Sequence, residues 1–502
     1  MEESEPLISE PSIRRRPRHL YIAVTLLLLS LAMELYGLFM TQYVYKSTAD
    51  RLFPNSFTFN NRHISVCSEN KTSESYRERT AVQQTTAKWD MYKSLAEAVP
   101  AVLTNSVLGS FSDRYGRRKA LAANLTLTLL GIALTTIGVL CSFNIYLFVL
   151  FAAINNMAGG IYGALSIGFA YVSDISEAGK PRGLLITWLE ASIGLGMTVS
   201  GLVSGYIIEQ FGYFYTSLSA CVILLVAVLV VVFLLPESLP NITNYTRNTT
   251  IQSYTDNSTT ASTNSTYAGD STNSTDTAAS NNRTNTVDRR TNRGAIYICE
   301  AAKAAFEFYF RPSNQRFAYI MCGVIFVLAC FSKLGKSRIE ILYALNTPFC
   351  WSPVKIGHFT SLTVASTMFV GIAAIKLLQR FFAEEVIAIF SAISNATSCI
   401  LEAFAFNDLT MFLVPLFAVL SVLAIPMMRA ILSKMTPPHK QGALFAGIAV
   451  MEICVSVIAN VGLKIIYIHT IQSFRGTVFL VYAAFSVLSI GLLIVSRYTV
   501  RR

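Results

Sequence analysis

Glu190 and Arg429 each lie several residues inside an apolar run, with no residue of opposite charge one helical turn away. A carboxylate held in apolar surroundings is suited to taking up and releasing a proton. A guanidinium there stays charged and forks onto carboxylates. Ionisable groups in such runs are costly, and ordinarily face a wet cavity or one another. The wider set is Glu34, Lys93, Glu97, Lys333, Lys336, Arg338, Glu340, Glu402 and Glu452. Lys93 with Glu97, and Lys336 with Glu340, are spaced i,i+4 and can satisfy each other along one helix. Glu34, Lys333, Lys336 and Glu452 join Glu190 and Arg429 as candidates for holding an anionic ligand or relaying a proton. The alternative for Glu190 and Arg429 is an internal ion-pair lock.

These groups need elements that place them within an apolar barrier. The chain has 502 residues, 53% of them hydrophobic and 14% charged, which argues against a soluble protein. A hydrocarbon core of about 30 Å takes roughly 20 helical residues. Runs of that kind lie near 20–44, 86–108, 120–141, 145–170, 183–207 and 214–235. A second group lies near 317–345, 356–378, 385–406, 410–432, 442–467 and 476–496. The expectation is an all-α membrane protein of twelve spans in two six-helix bundles, 20–235 and 316–496. A tail (1–19), a polar linker (236–315) and a second tail (497–502) complete the chain. Span seven is interrupted at "SKLGKSRIE" around Gly335. Either the break helps build a binding site, as in many carriers, or the helix ends at Phe331 and the charges are solvated.

The net charge of +11 follows from basic residues gathered on one side, so nucleic acid is not an expected partner; membrane lipid is. "RRRPR", "DRYGRRK", "KPR", Lys376 with Arg380, Lys434 with Lys440 and "RYTVRR" fall together, whereas "CSFN", "EQFG" and "FND" carry no Lys or Arg. By the positive-inside rule both termini are cytosolic. The segment 236–315 then also faces the cytosol, and its seven N-x-[ST] triplets, from Asn241 to Asn282, stay unused. Its low hydrophobicity and missing periodicity read as a disordered linker. Asn70, in the first external loop, is the expected glycan acceptor; Asn124 and Asn395 match the pattern within spans and should be unmodified. Cys67 and Cys350 fall in external loops, where an oxidising lumen favours pairing them; two free thiols are the alternative. Neither a CxxC nor a Cys/His ligand spacing occurs, nor HExxH or GxSxG, so neither metal, cofactor nor enzymatic activity is expected. The first apolar run lacks a cleavage signature, so no signal peptide is expected.

Residues 109–119, "GSFSDRYGRRK", resemble the signature between spans two and three of the major facilitator superfamily. Gly109 and Gly116 suit close helix approach and a tight reversal. Asp113 and Arg114 sit at its centre; Asp113 suits the positive N-terminus of a neighbouring helix, such as span eleven near Gln441. Arg117 is placed to bridge Asp174 at the end of span four. Such a latch would hold the two halves together on the cytosolic face. The matching loop of the second half, "KLLQRFFAEEV", has no such motif. "GLVSG" (201–205) is a small-residue packing contact, and "PES" (236–238) closes span six as in many superfamily members.

The strings "TQYVY", "LEASIGLG", "LNTPFCW" and "LSKMTPPHKQGALFA" are similar to solute carrier family forty-six over nearly the whole chain outside the linker and tails. The resemblance implies secondary active transport of a small organic solute by alternating access with proton symport. It also implies a Cys67–Cys350 disulfide, a glycosylated loop at Asn70, and roles in coupling for Glu190 and Arg429. Ser337 stands where the folate-carrying member has a protonatable histidine, which argues against folate. "TQYVY" is closer to the lysosomal member, whose implied cargo is bulky amphipathic conjugates and peptidoglycan fragments. "EESEPLI" fits an acidic dileucine signal, with Glu3 before Leu7 and Ile8; if active it would engage clathrin adaptors and route the chain to endosomes and lysosomes, the plasma membrane being the other destination. The rival reading is a carrier-shaped receptor or scaffold that moves nothing.

Overall fold

The computed structural model describes residues 18–54, 74–176, 180–238, 316–436 and 441–500, and among these all regular structure is helical. Nine helical segments of the described residues are long and apolar enough to cross a membrane. The difference from twelve has three local causes. Trp188–Leu234 counts as one segment of 47 residues, but Gly212, at φ 83° and ψ 178°, separates spans five and six. No atom lies within 4 Å of a Cβ built there, so the backbone rather than lack of room calls for glycine. Span two (Glu74–Tyr115) is helical but polar over much of its length. Span ten is divided into Asp408–Phe417 and Ala424–Met435.

The first two helices are longer than their apolar runs. Span one extends over Arg18–Leu52, and span two begins at Glu74 rather than 86. The extra turns of span two are held by polar bonds that hydropathy does not register. Gln83 donates to the Leu342 carbonyl at 2.6 Å and to the Tyr467 hydroxyl, and it accepts from Asn346. Gln84 donates to the Ile468 carbonyl at 3.0 Å. Four of these partners belong to the second half, so the polar turn is part of a junction.

Span seven breaks where expected. Arg316–Phe331 and Lys336–Ala344 are joined through Gly335 at φ 80°. Lys336 and Glu340 beyond the break are buried, which removes the reading in which these charges are solvated. The two triplets within spans are likewise buried. Asn124 donates to the carbonyls of Ala158 and Gly160 at 2.7 and 3.0 Å, and Asn395 to the Ser332 carbonyl and Ser486 hydroxyl at 3.0 and 2.8 Å.

Three apolar cores form. One lies within spans one to six, around Leu26, Phe39, Phe148 and Tyr171. A second lies at the basic end of spans seven to twelve, around Phe326, Met428 and Leu444. The third is shared: Leu38, Tyr45 and Val82 of the first half pack with Ile339, Trp351, Tyr467 and Tyr482 of the second. That shared core is at the end opposite "DRYGRRK", here called the far end. Spans five and eight meet there backbone to backbone: a Cβ on Gly357 would lie 2.4 Å from the Gly201 carbonyl oxygen, and one on Gly205 2.5 Å from that of Pro353. Ser361 donates to the Thr198 carbonyl at 2.8 Å beside this contact. The far end is closed.

Gly357→Val is expected to part these two spans, because overpacking of a tight contact costs about 1–3 kcal/mol. A cysteine placed at Ser361 should then react at least tenfold faster with an impermeant thiol reagent. An unchanged rate would mean that the contact is not a closure.

Candidate functional site

The intramembrane charges gather in three clusters. The first lies between spans one, two, seven and eleven. Lys464 of span eleven reaches Asp90 of span two at 2.5 Å and the Ser94 hydroxyl at 3.1 Å. The two side chains are only 1% and 9% exposed, although they come from opposite halves. One turn along, Lys93 pairs with Glu97 at 2.8 Å. Arg338 of span seven lies against Gly37 of span one, where a Cβ would fall 1.8 Å from its Nη2. Its Nη1 is buried without a hydrogen-bond partner. It is the charge that acts on Glu34, one turn before Gly37.

The second cluster is internal to the second half. Lys336 bridges Glu340 at 3.1 Å and Glu402 of span nine at 2.7 Å, with Glu402 fully buried. Lys333, beside them, donates to the Ser421 hydroxyl at 2.8 Å. Glu340 and Glu402 balance Lys333 and Lys336 in sign, just as Glu34, Asp90 and Glu97 balance Lys93, Arg338 and Lys464. Both clusters are thus balanced in formal charge within the protein.

The third cluster is different. Arg429 of span ten pairs with Glu452 of span eleven, a partner that sequence spacing cannot show. Glu190 of span five is exposed, and Arg429 is the charge that acts on it across the gap between the halves. Glu452 balances Arg429 in sign, and when Glu190 is ionised the cluster holds one negative charge in excess. The Arg429 side chain is 39% exposed, leaving donors of its fork open to a ligand.

A cavity of about 90 Å³ lies between spans one, five, seven and eight. Glu34, Ser337 and Thr360 bring polar groups to it, and Met197, Ile341 and Phe359 are among its apolar walls. No cluster of carboxylate, His or Cys groups that could hold a metal ion occurs among the described residues.

At the basic end, Arg117 meets Asp174 at 3.0 Å. Both residues belong to the first half, so this bridge ties span three to span four rather than one half to the other. Glu237 of "PES" joins the knot by accepting from the backbone N–H of Arg117 at 2.8 Å and of Arg118 at 3.2 Å, at the positive start of span three. Ser238 donates to Asp174 at 3.0 Å. Gly116 turns at φ 105°, and a Cβ there would lie 2.5 Å from the Glu237 carboxylate. Gly109, Asp113 and Arg114 fall in the last turns of span two, and their side chains lie outside the described set. Cys350 is disulfide-bonded. Cys67, Asn70, Glu3, Leu7 and Ile8 lie outside the described residues.

Two far-end cations, Lys355 and Arg475, stand outside the charge reading, and Lys355 pairs with Asp408. Arg475, in the turn before span twelve, donates to the Thr347 carbonyl and stacks over Tyr76 with its guanidinium 5.0 Å from the ring centroid. It is spent on the closure rather than on orientation in the membrane.

Twelve crossings, a broken span seven and charges gathered between two helical halves define a multi-pass membrane carrier. Residues 22–332 match the family profile described as Major Facilitator Superfamily, and the chain belongs to that superfamily. It is a secondary transporter, not an enzyme. It is 26% identical over 456 residues to the chicken (Gallus gallus) lysosomal proton-coupled steroid conjugate and bile acid symporter SLC46A3, covering 90% of this chain and 88% of that one. Identity to the rat (Rattus norvegicus) proton-coupled folate transporter is 24%, over 91% and 87% of the two chains. Among solved structures, the human organic anion transporter MFSD10 (TETRAN) aligns over 95% of this chain and 100% of its own, with a TM-score of 0.59 at 13% identity. The inward open conformation of the Escherichia coli xylose transporter XylE gives 0.58 at 15% identity, over 95% and 94%. At these identities the structural likeness concerns the fold alone.

Proposed function

We propose that the chain carries an organic anion together with a proton, and that Arg429, Glu452 and Glu190 form the coupling site. The observation that supports this reading is the unbalanced charge of the third cluster. An entering carboxylate or sulfate competes with Glu452 for the Arg429 fork, where bidentate geometry favours it. It also adds a second uncompensated negative charge, which is unfavourable at low dielectric. One proton on Glu190 returns the cluster to its starting charge. Anion and proton therefore travel together for an electrostatic reason. The names of the relatives, a proton-coupled steroid conjugate and bile acid symporter among them, agree with an amphipathic acid as cargo.

In the same reading the far end faces the outside or an organelle lumen, with a Cys67–Cys350 disulfide and a glycan on Asn70. The basic knot of Arg117, Asp174 and Glu237 steadies the first half on the cytosolic face, and Asp113 latches onto span eleven. The signal at Glu3, Leu7 and Ile8 directs the carrier through clathrin adaptors to lysosomes, where lumenal acid drives solute and proton into the cytosol.

Glu190→Gln tests the assignment. The amide keeps the shape but cannot take up a proton. Net uptake should lose its dependence on external pH, while exchange of solute across the membrane persists. Retention of the wild-type pH profile would remove Glu190 from the coupling site.

A further inference from the structure

The contact that closes the far end between spans five and eight carries a titratable pair. The Tyr206 hydroxyl of span five and Nε2 of His358 of span eight lie 3.0 Å apart and share a hydrogen bond. Their rings stand edge to face, with centroids 5.6 Å apart. Each residue adjoins a glycine of the backbone contact, Gly205 or Gly357, so the approach of the two backbones is what brings the side chains together. Among the described histidines, His358 is the one bonded to a side chain of the other half. Tyr206 is 50% exposed, and both residues stand about one and a half turns from the far ends of their helices. Protons from the far side can therefore reach them.

We propose that His358 is a proton-operated latch, separate from the coupling site, that ties span eight to Tyr206 when the far side is acidic. An imidazole ordinarily takes up a proton below about pH 6.5. The imidazolium carries a proton on both nitrogens, so Nε2–H donates to the Tyr206 oxygen. Such a charge-assisted bond is roughly twice as strong as the neutral one. The bond exists only while the spans are in contact, so protonation favours the closed far end, by about fivefold. The gain is present below about pH 6.5 and fades above it. The proposed function supplies only the acid, through its placing of the far end in a lumen; the pair titrates whichever way that end faces.

The surrounding charges leave His358 free for this role. Lys355, one turn before it on span eight, is engaged by Asp408 of span ten. On the second part of span seven, Lys336 pairs with Glu340 and Arg338 lies against Gly37 of span one. Tyr343 of the same element packs with Phe349 and Phe479. Span five adds the exposed Glu209, three residues beyond Tyr206, whose sign suits an imidazolium, and span six carries no charged residue. The latch proton enters and leaves on one side. It alters the rate of the cycle and not the gradient that the cycle builds.

The test uses the full chain in sealed vesicles, with Cys141→Ser and a reporter, Ser361→Cys, labelled from the far side by an impermeant thiol reagent. Each rate is divided by that of the same protein carrying His358→Phe at the same pH, which cancels the titration of the reporter thiol. The quotient should fall about fivefold between about pH 7.5 and pH 5.5. With Tyr206→Phe in both proteins it should stay flat. His358→Gln keeps a polar side chain that does not titrate, and serves as the divisor if His358→Phe does not fold. A flat quotient with Tyr206 present, a quotient that rises with acid, or an unchanged fall with Tyr206→Phe overturns the latch. Labelling needs no solute and should respond in the same way in Glu190→Gln, so a failed coupling site does not disturb the result. In transport, His358→Phe should slow uptake severalfold at about pH 5.5 and leave the final accumulation ratio unchanged. A lower ratio would make His358 a carrier of the transported proton and contradict the latch.

Discussion

Replacing Lys464 with Met is expected to unlock the far end. Asp90 and Lys464 meet at 2.5 Å in a position almost without solvent, one from each half of the molecule. Removing one member of a buried pair leaves the other charge uncompensated and costs about 3–5 kcal/mol. That cost falls on the closed far end, where spans two and eleven meet through this pair. A shift of about 4 kcal/mol changes the balance of two conformations nearly a thousandfold. A cysteine at Thr360, inside the cavity, should then react with an impermeant thiol reagent at least tenfold faster from the far side. Net uptake should fall by a similar factor, since a carrier that cannot close its outer end cannot complete a cycle. The double variant Asp90→Asn with Lys464→Met removes both charges and should recover much of the closure, whereas a role in folding alone would show as lost protein with unchanged labelling. Wild-type labelling in Lys464→Met would remove the pair from the gate.

Arg429→Ala should abolish uptake by at least a hundredfold. The substitution removes the cation that pairs with Glu452 and acts on Glu190, so the proposed site loses its fork for an anion. Its effect on stability can be separated from its effect on binding. Arg429→Ala combined with Glu452→Gln leaves no stranded partner, and should restore the amount of folded protein without restoring uptake. Arg429→Lys keeps the charge but loses the fork, and should recover only a minor part of the activity. Uptake near wild type in the combined variant would place the anion elsewhere.

The sequence carries much of this, and where it stops is physically sensible. Twelve apolar runs and the break at Gly335 are written in hydropathy and in one residue with positive φ. Lys93–Glu97 and Lys336–Glu340 follow from helical spacing alone. The pairs that join helices do not: Glu402 with Lys336, Glu452 with Arg429 and Asp90 with Lys464 depend on how spans pack, which no local period encodes. Lys464 nevertheless left a signal, a lysine inside the apolar "VGLKIIYI", and the rule that flagged Glu190 would have flagged it. Asp90 left less, because it stands in the polar first part of span two. The bridge from Arg117 to Asp174 was legible as a pair, and both residues already fall within the first bundle, 20–235, so the expectation that it would latch one half to the other did not follow from the sequence.

The most direct measurement is accumulation of a radiolabelled bile acid by sealed vesicles that contain only this protein, with and without an imposed acid gradient. Acid on the far side should drive the internal concentration above the external one, and a protonophore should collapse it to equality. Uptake that stops at equality under every gradient, or that survives the protonophore unchanged, would contradict proton-coupled transport.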